Sequence, residues 1–417
     1  MAQRFNIIKK NKDVIGNVMW NLVASFLSTG ALQLVVHPLL AKIYDDVAYG
    51  NILFTVGIMN VIILAVGNAL GDIRLTEDGG YKEEEIQGDF NRLLLLGCVI
   101  SVVAMLAVFM IFRAQIPGNA VAVMLTLPIV CVVGTVHAYL TALFRLKLLF
   151  KQSLTVCILS TIGYLLGIAI AVWTGVWTIP FLLGHLFAIL YQAKLTRFYK
   201  EPLFWTRRKK QTAKKYGTLS LSYLIKSSMT YVDRFVITPA LGADMLSVYT
   251  IASTFGKLAS IAIQPVANVA LGYYAQKDFR MTTQKYWVTN IVTITCGALV
   301  YVFSLVLSKP FISILYPSYV ESAMNYVALA NIAAVMTAVA AMIQPAVLKY
   351  ANVAWQVAIQ LGYGGITVAL SLVLIGASGL TGFCYAAIIA NVCKIVVLLM
   401  VGDRGVRMYA TTQHENA

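Results

Sequence analysis

Residues 217–241, GTLSLSYLIKSSMTYVDRFVITPAL, form a stretch that is long enough to cross a bilayer and yet contains charged side chains. A membrane-spanning helix needs about 20 mainly apolar residues, and a charge at its centre costs about 2.5–3.5 kcal/mol even on a lenient scale. Lys226, Asp233 and Arg234 all lie in this stretch. Charges at such positions have a partner or face a water-filled cavity. The stretch therefore predicts a helix that lines a cavity inside a helical bundle.

The spacing of the polar residues supports this interpretation. Positions separated by three or four residues lie on the same side of an α-helix. That spacing joins Ser222, Lys226, Thr230 and Asp233. We expect Ser222 and Thr230 to line the cavity beside the lysine.

The composition excludes a soluble protein. Of the 417 residues, 59% are hydrophobic and 12% are charged, and the mean hydropathy is +0.79. We predict an all-α integral membrane protein with about twelve transmembrane helices, in two pseudo-symmetric six-helix lobes around a central cavity. The net charge of +15 does not indicate nucleic acid, because the basic residues lie in loops between apolar segments.

Hydropathy places the spans and the lobes. The predicted spans are 15–41, 48–70, 92–112, 119–144, 152–174, 176–193, 217–241, 245–272, 286–308, 322–348, 352–376 and 379–401. Residues 194–216 form a basic linker with Arg207–Lys210 (RRKK) near its centre. We therefore predict an N-terminal lobe over 1–193, a cytoplasmic linker over 194–216, and a C-terminal lobe with a short cytoplasmic tail over 217–417.

The distribution of Lys and Arg predicts the orientation. Cytoplasmic loops carry an excess of basic residues. Only Lys42, Arg113 and Lys309 fall in the loops that an even number of spans places outside. We therefore expect both termini in the cytoplasm.

The first predicted span has a polar face of its own. It carries Asn21, Ser25, Thr29 and Gln33, and a shift of about 197 positions lays three of these on the polar face of residues 217–241. Two readings remain open. The residues could join neighbouring helices, or they could line the cavity, which we favour.

Three lysines lie within predicted spans, at a depth nearer the cytoplasm. These are Lys226, Lys257 and Lys394, and no carboxylate is predicted at their level. Unpaired cations in a low dielectric are tolerated where they are hydrated or where an anion binds. We expect them, with Arg234, to bind a phosphate or pyrophosphate. The alternatives are that Lys394 reaches the cytoplasmic interface and that Lys257 donates to a carbonyl freed by the nearby Pro265.

Asp233 could couple transport to a gradient of H⁺ or Na⁺, or form a structural ion pair or cap near the outer end of its helix. His37, His137 and His185 share no metal-ligand spacing, and we interpret each as a hydrogen-bonded structural histidine. No catalytic constellation, cofactor or metal site is expected.

Two local motifs resemble a known family. Residues 231–253, YVDRFVITPALGADMLSVYTIAS, contain Asp233, Arg234 and Phe235 in a D-R-F core, and residues 65–75, AVGNALGDIRL, place Gly67, Gly71 and Arg74 at the end of the second span. Together with the topology they resemble the polysaccharide transporter branch of the multidrug/oligosaccharidyl-lipid/polysaccharide (MOP) exporter superfamily, which includes the Wzx-type O-antigen flippases.

The resemblance implies a flippase of the bacterial cytoplasmic membrane. Its substrate would be undecaprenyl-pyrophosphate-linked oligosaccharide, an O-antigen or capsule repeat unit, moved to the outer leaflet by alternating access. Its partners would be this lipid-linked substrate, the bilayer and the glycan polymerase machinery, with no nucleic acid. The alternatives are a cation-coupled multidrug exporter of the same architecture and a membrane-embedded glycan-modifying enzyme.

Overall fold

The computed structural model describes residues 23, 26–84, 88–147, 149–258, 263, 267 and 281–415. The described part is built from long helices. They are α1 (Phe26–Ile43), α2 (Asp46–Glu83), α3 (Phe90–Phe112), α4 (Ala120–Leu146), α5 (Phe150–Thr174), α6 (Ile179–Thr196), α7 (Lys209–Thr230), α8 (Val232–Leu241), α9 (Ala243–Ala252), α10 (Thr283–Leu315), α11 (Val320–Tyr350) and α12 (Val353–Glu415).

The prediction of an all-α membrane protein is confirmed. Nine helices in the described part of the chain are long and apolar enough to span a membrane. The last of these, Trp355–Tyr409, covers two predicted spans. It is interrupted by non-helical backbone at Ser378 and Gly379. Much of the predicted eighth span, 245–272, lies outside the described residues.

Side chains at the loop ends fix several helix starts. The Asp45 carboxylate accepts from Ala48 N at 2.7 Å at the start of α2. The Asn119 amide oxygen accepts from two backbone N–H groups at the start of α4. Each cap satisfies donors that have no partner within the helix. At the end of α5, Gly175 takes a left-handed conformation with φ of 67°, which suits a glycine.

Helix α2 differs from the predicted second span in two ways. The span was predicted to end near residue 70, and the helix continues to Glu83. It also contains a π-helical turn at Leu64–Asn68. At this turn Val66 O accepts from Ala69 N and also from the Tyr216 hydroxyl, at 3.2 Å. Residues 71–83 thus form a polar end of the helix that hydropathy did not predict.

The chain divides by contacts into an N-terminal unit, Met1–Arg234, and a C-terminal unit, Phe235–Ala417. A core of the N-terminal unit packs apolar residues of α2, α3 and α4 with Tyr216 of α7. The C-terminal unit has a core between α11 and α12. The predicted lobe boundary at the linker 194–216 stays a prediction.

Candidate functional site

Lys226 lies on α7 in the N-terminal unit. Its side chain is exposed in the isolated chain, and its Nζ lies 5.9 Å from the ring centroid of Tyr223. None of the ion pairs between described residues includes Lys226. A ring face attracts a cation without adding an opposite charge.

The two hydroxyl residues predicted beside Lys226 bond to their own helix. Ser222 donates to Thr218 O at 3.0 Å, and Thr230 donates to Lys226 O at 3.1 Å. Both residues are exposed in the isolated chain. Because each hydroxyl donates to the carbonyl four residues earlier, each still offers lone pairs to a ligand.

The single helix predicted over 217–241 is in fact two helices, and this prediction is wrong. Backbone at Tyr231, with φ of −107° and ψ of 20°, separates α7 from α8. The side chain of Asn60 in α2 lies beside the Tyr231 hydroxyl. The break therefore lies two residues before the D-R-F core, beside α2.

Arg234 and Asp233 are both engaged at this break. Arg234 is 8% exposed, its Nη1 donates to Leu53 O, and its guanidinium lies 5.0 Å from the Tyr231 ring. A Cβ at Gly57 would lie 2.7 Å from Arg234 Cδ, so the glycine lets the arginine reach α2. Asp233 Oδ1 accepts from Arg234 N at 3.0 Å in the first turn of α8. Substrate binding by Arg234 and ion coupling by Asp233 stay predictions.

The other two predicted lysines lie in the C-terminal unit. Lys394 of α12 is half-buried, and its Nζ lies 4.5 Å from the ring centroid of Tyr363 on the preceding part of α12. The Nζ of Lys257 lies 5.2 Å from the ring centroid of Tyr249. Because Lys226 belongs to the other unit, the gathering of the three lysines in one cavity stays a prediction.

Buried amides lie near these lysines in sequence. Asn391, three residues before Lys394, accepts from the Thr337 hydroxyl at 3.1 Å. Asn331 accepts from Gly256 N at 2.7 Å, next to Lys257. Both asparagines are essentially inaccessible to solvent. Satisfied amides of this kind hold helices in register and keep the backbone beside each lysine in place.

Half of the polar face predicted on the first span can be placed. Thr29 and Gln33 lie on α1 and are half-buried, and Gln33 belongs to a π-helical turn, Leu32–Val36. Asn21 and Ser25 lie outside the described residues. Because π-helical turns are frequent at functional sites, the turn at Gln33 supports the prediction that this residue lines the cavity.

An ion-pair network at one end of the N-terminal unit was not predicted. Arg74 of α2 donates to both carboxylate oxygens of Glu201, at 2.9 and 3.2 Å, and pairs with Asp78 at 3.2 Å. Its guanidinium lies 4.3 Å from the Phe90 ring. The arginine of the family motif is therefore neutralised by two carboxylates here.

The linker joins the same network. Arg207 and Arg208 both bind the Glu84 carboxylate. The hydrogen bond from Arg208 lowers the pKa of Glu84 below its ordinary value. Buried Asp89 accepts from Thr206 N at 2.8 Å and from the Tyr81 hydroxyl at 2.6 Å. The linker is thus bound to the end of α2 and not a free basic loop. The acidic run TEDGGYKEEE over 76–85 was the sequence signal for these partners.

His137 and His185 form a pair between α4 and α6. Their Nδ1 atoms are 2.9 Å apart, so one ring donates to the other. The bond agrees with the interpretation of both as hydrogen-bonded structural histidines, although the sequence did not indicate that they pair with each other. Among the described residues, no group of three or more His, Cys, Asp or Glu could hold a metal ion.

Similarity to solved structures extends over nearly the whole chain. An inward-facing multidrug resistance MATE family transporter of the MOP superfamily matches with a TM-score of 0.66 at 13% identity, covering 95% of this chain and 96% of that chain. The lipid II flippase MurJ, in an inward closed conformation, matches with a TM-score of 0.66 at 16% identity, covering 93% of this chain and 87% of that chain. The chain therefore shares the fold of these solved structures.

A third comparison limits what this fold can tell. An outward-facing MATE family transporter matches with a TM-score of 0.65 at 13% identity, covering 96% of this chain and 97% of that chain. No protein-family model and no curated protein sequence matches the chain. Because a multidrug transporter and a lipid flippase match the fold of this chain equally well, the substrate has to be inferred from the side chains.

Proposed function

We propose that the chain is a flippase that moves undecaprenyl-pyrophosphate-linked oligosaccharide, an O-antigen or capsule repeat unit, to the outer leaflet by alternating access. The observation that carries the proposal is the surroundings of the Lys226 and Lys394 ammonium groups. Each ammonium lies near a tyrosine ring, and neither lysine takes part in an ion pair between described residues. Cations held in this way inside a membrane fold suit a pyrophosphate group.

The arrangement of paired bases elsewhere supports this choice. The basic residues near the end of α2, such as Arg74 and Arg208, have carboxylate partners. Lys226 and Lys394 have aromatic partners. A basic side chain that already pairs with a carboxylate is stabilised little further by binding a phosphate. A basic side chain that contacts only a ring can still bind a phosphate. The lipid II flippase among the similar structures is a transporter with a lipid-linked substrate.

The second candidate is a cation-coupled multidrug exporter, which the matches to multidrug transporters favour. A site for cationic drugs calls for carboxylates inside the membrane-spanning part. Asp233 shares the predicted polar face with Lys226, and its carboxylate accepts from Arg234 N. A second acid, Asp72, accepts from the hydroxyl of Tyr223, the ring beside Lys226. We propose that Asp233 couples transport to H⁺ or Na⁺, and that the substrate itself is anionic.

The setting completes the proposal. We place the protein in the bacterial cytoplasmic membrane with both termini in the cytoplasm, because the positive residues accumulate in the loops on one side. In that orientation the lysines lie nearer the leaflet in which lipid-linked sugars are assembled. A glycan polymerase would take up the product on the other side.

The test uses the full chain in proteoliposomes. One preparation contains fluorescent polyprenyl-pyrophosphate oligosaccharide and the other contains a cationic dye, each under an imposed H⁺ or Na⁺ gradient. We expect the lipid-linked oligosaccharide to change leaflet and the dye to stay in place. Gradient-driven movement of the dye, alone or at the rate of the lipid, would favour the multidrug exporter and contradict the flippase.

A further inference from the structure

A groove in the C-terminal unit has no part in the proposed transport. It encloses about 600 Å³ where α11 ends and the chain turns into α12. Its walls are mostly apolar and include Tyr350, Trp355, Val397, Met400 and Met408. Met408 is 72% exposed and Trp355 is 46% exposed, so the groove is open to its surroundings. Its volume is in the range of sites that hold a ligand chain or a small molecule.

One positive charge stands at this groove. Arg404 is among the lining residues, and its side chain is exposed. The neighbouring acid, Asp403, is already occupied, because it accepts from Trp287 Nε1 at 3.0 Å and pairs with Arg407 at 2.8 Å. Among the described residues, no ion pair includes Arg404. The guanidinium is therefore available to an anion.

The surrounding surface has the same sign. Lys349 is exposed next to Tyr350, whose ring lies 5.2 Å from the ring of Tyr409. Tryptophan and tyrosine concentrate at the level of lipid headgroups, and basic pockets between membrane helices bind anionic headgroups. An apolar groove with aromatic walls and one arginine thus matches a molecule with a fatty chain and one phosphate.

We propose that this groove binds one anionic glycerophospholipid, with its phosphate on Arg404 and an acyl chain along Val397 and Met400. A phosphodiester such as that of phosphatidylglycerol carries a single negative charge, which one arginine can match with two parallel hydrogen bonds. A polyprenyl pyrophosphate carries more charge than this groove offers. The bound lipid would hold the turn between α11 and α12.

The experiment measures lipid retention on the delipidated full-length protein by native mass spectrometry, so its outcome does not depend on transport. The probes are phosphatidylglycerol, phosphatidylcholine, glycerol phosphate and a polyprenyl pyrophosphate. Arg404→Gln removes the charge in the groove. Lys285→Gln is the matched control, because it removes one charge at the same end of the unit from α10, which does not line the groove. Val397→Trp fills the groove and leaves the charges unchanged.

We expect phosphatidylglycerol to bind more tightly than phosphatidylcholine. Arg404→Gln should weaken the binding of phosphatidylglycerol about fivefold. This is the effect of about 1 kcal/mol that one basic residue has on the binding of an anionic lipid. Lys285→Gln should bind phosphatidylglycerol as the wild type does, and Val397→Trp should abolish the binding of both phospholipids. Equal losses in the two glutamine variants, retention of phospholipid by Val397→Trp, equal binding by glycerol phosphate, or preference for the polyprenyl pyrophosphate would each overturn the inference.

Discussion

Basic residues in two regions of this molecule have different partners. At the end of α2, Arg74 contacts Glu201 and Asp78, and Arg208 contacts Glu84, so each guanidinium lies against a carboxylate. On α7 and α12, Lys226 and Lys394 instead lie 5.9 and 4.5 Å from tyrosine ring centroids. A carboxylate cancels a charge, whereas a ring stabilises it by about 0.5–2 kcal/mol and leaves it in place. The difference separates bases that hold the fold from bases that can bind a substrate.

The largest effect should come from Lys226→Ala. If the ring-bound lysines bind substrate, this change abolishes flipping of the lipid-linked oligosaccharide in proteoliposomes, while the protein still inserts and folds. Lys214→Ala is the matched control, since Lys214 is an exposed lysine on the same helix but lies outside the predicted span. Wild-type transport by the Lys226→Ala variant would remove Lys226 from the site and break the comparison.

Arg74→Ala should have the opposite effect. It leaves Glu201 without its arginine and leaves Asp78 with Lys82 alone, at 2.7 Å. Loss of one partner of a buried pair costs about 3–5 kcal/mol. We expect about 2 kcal/mol here, because the site is partly exposed and Asp78 keeps one partner.

The readout is the thermal unfolding temperature in detergent, with transport normalised to folded protein. Arg207→Ala serves as the control, since its side chain is 72% exposed and an exposed pair contributes less than about 1 kcal/mol. If Arg74→Ala slowed transport and left stability unchanged, the arginine would belong with the substrate-binding bases.

Tyr363→Leu should have a smaller effect. It removes the ring near Lys394 Nζ but keeps an apolar side chain of similar size. Loss of a cation–π contact of about 1 kcal/mol raises the apparent KM about fivefold. We expect the maximal rate to stay the same. Tyr363→Phe keeps the ring and should behave as the wild type. A Phe variant as impaired as the Leu variant would assign the effect to the hydroxyl.

The smallest effect concerns pH. The pKa of Glu84 is lowered in the folded protein, chiefly by its hydrogen bond from Arg208. A lowered pKa gives stability that is present above the unfolded-state value of about 4.3 and is lost as pH falls through the folded value. The difference in unfolding temperature between wild type and Glu84→Gln should stay constant from neutral pH to about pH 5 and then shrink as the pH falls through the lowered folded-state pKa. A difference that persists at lower pH would show that the carboxylate charge is not its source.

Hydropathy and charge were sufficient for the fold class. Apolar runs of membrane-spanning length predict helices because hydrocarbon offers the backbone no other partner. The same reasoning could not find the end of α2. Residues 71–83 are too polar to be read as membrane-embedded, and they stay helical because Arg74 and Lys82 pair with acids on this helix and on the linker.

The sequence predicted only those features of the candidate site that depend on the spacing of residues within one helix. The polar face of residues 217–241 could be read from its spacing, whereas the break at Tyr231 depends on contacts to Asn60 and Leu53 that are remote in sequence. The histidine pair and the bond between Arg74 and Glu201, 127 residues apart, are likewise tertiary contacts. A single sequence gives residue types at each of these positions but not their neighbours in space.

The attachment of the linker also affects how the orientation of this protein should be measured. Topology is usually mapped by inserting a reporter enzyme or a protease site into a long predicted loop, such as the linker 194–216 of this chain. An insert near Thr206 would separate its backbone N–H from Asp89 and pull Arg208 from Glu84. Reporters belong instead in the short turn at residues 113–118 or beyond Arg407, where they would leave those contacts intact.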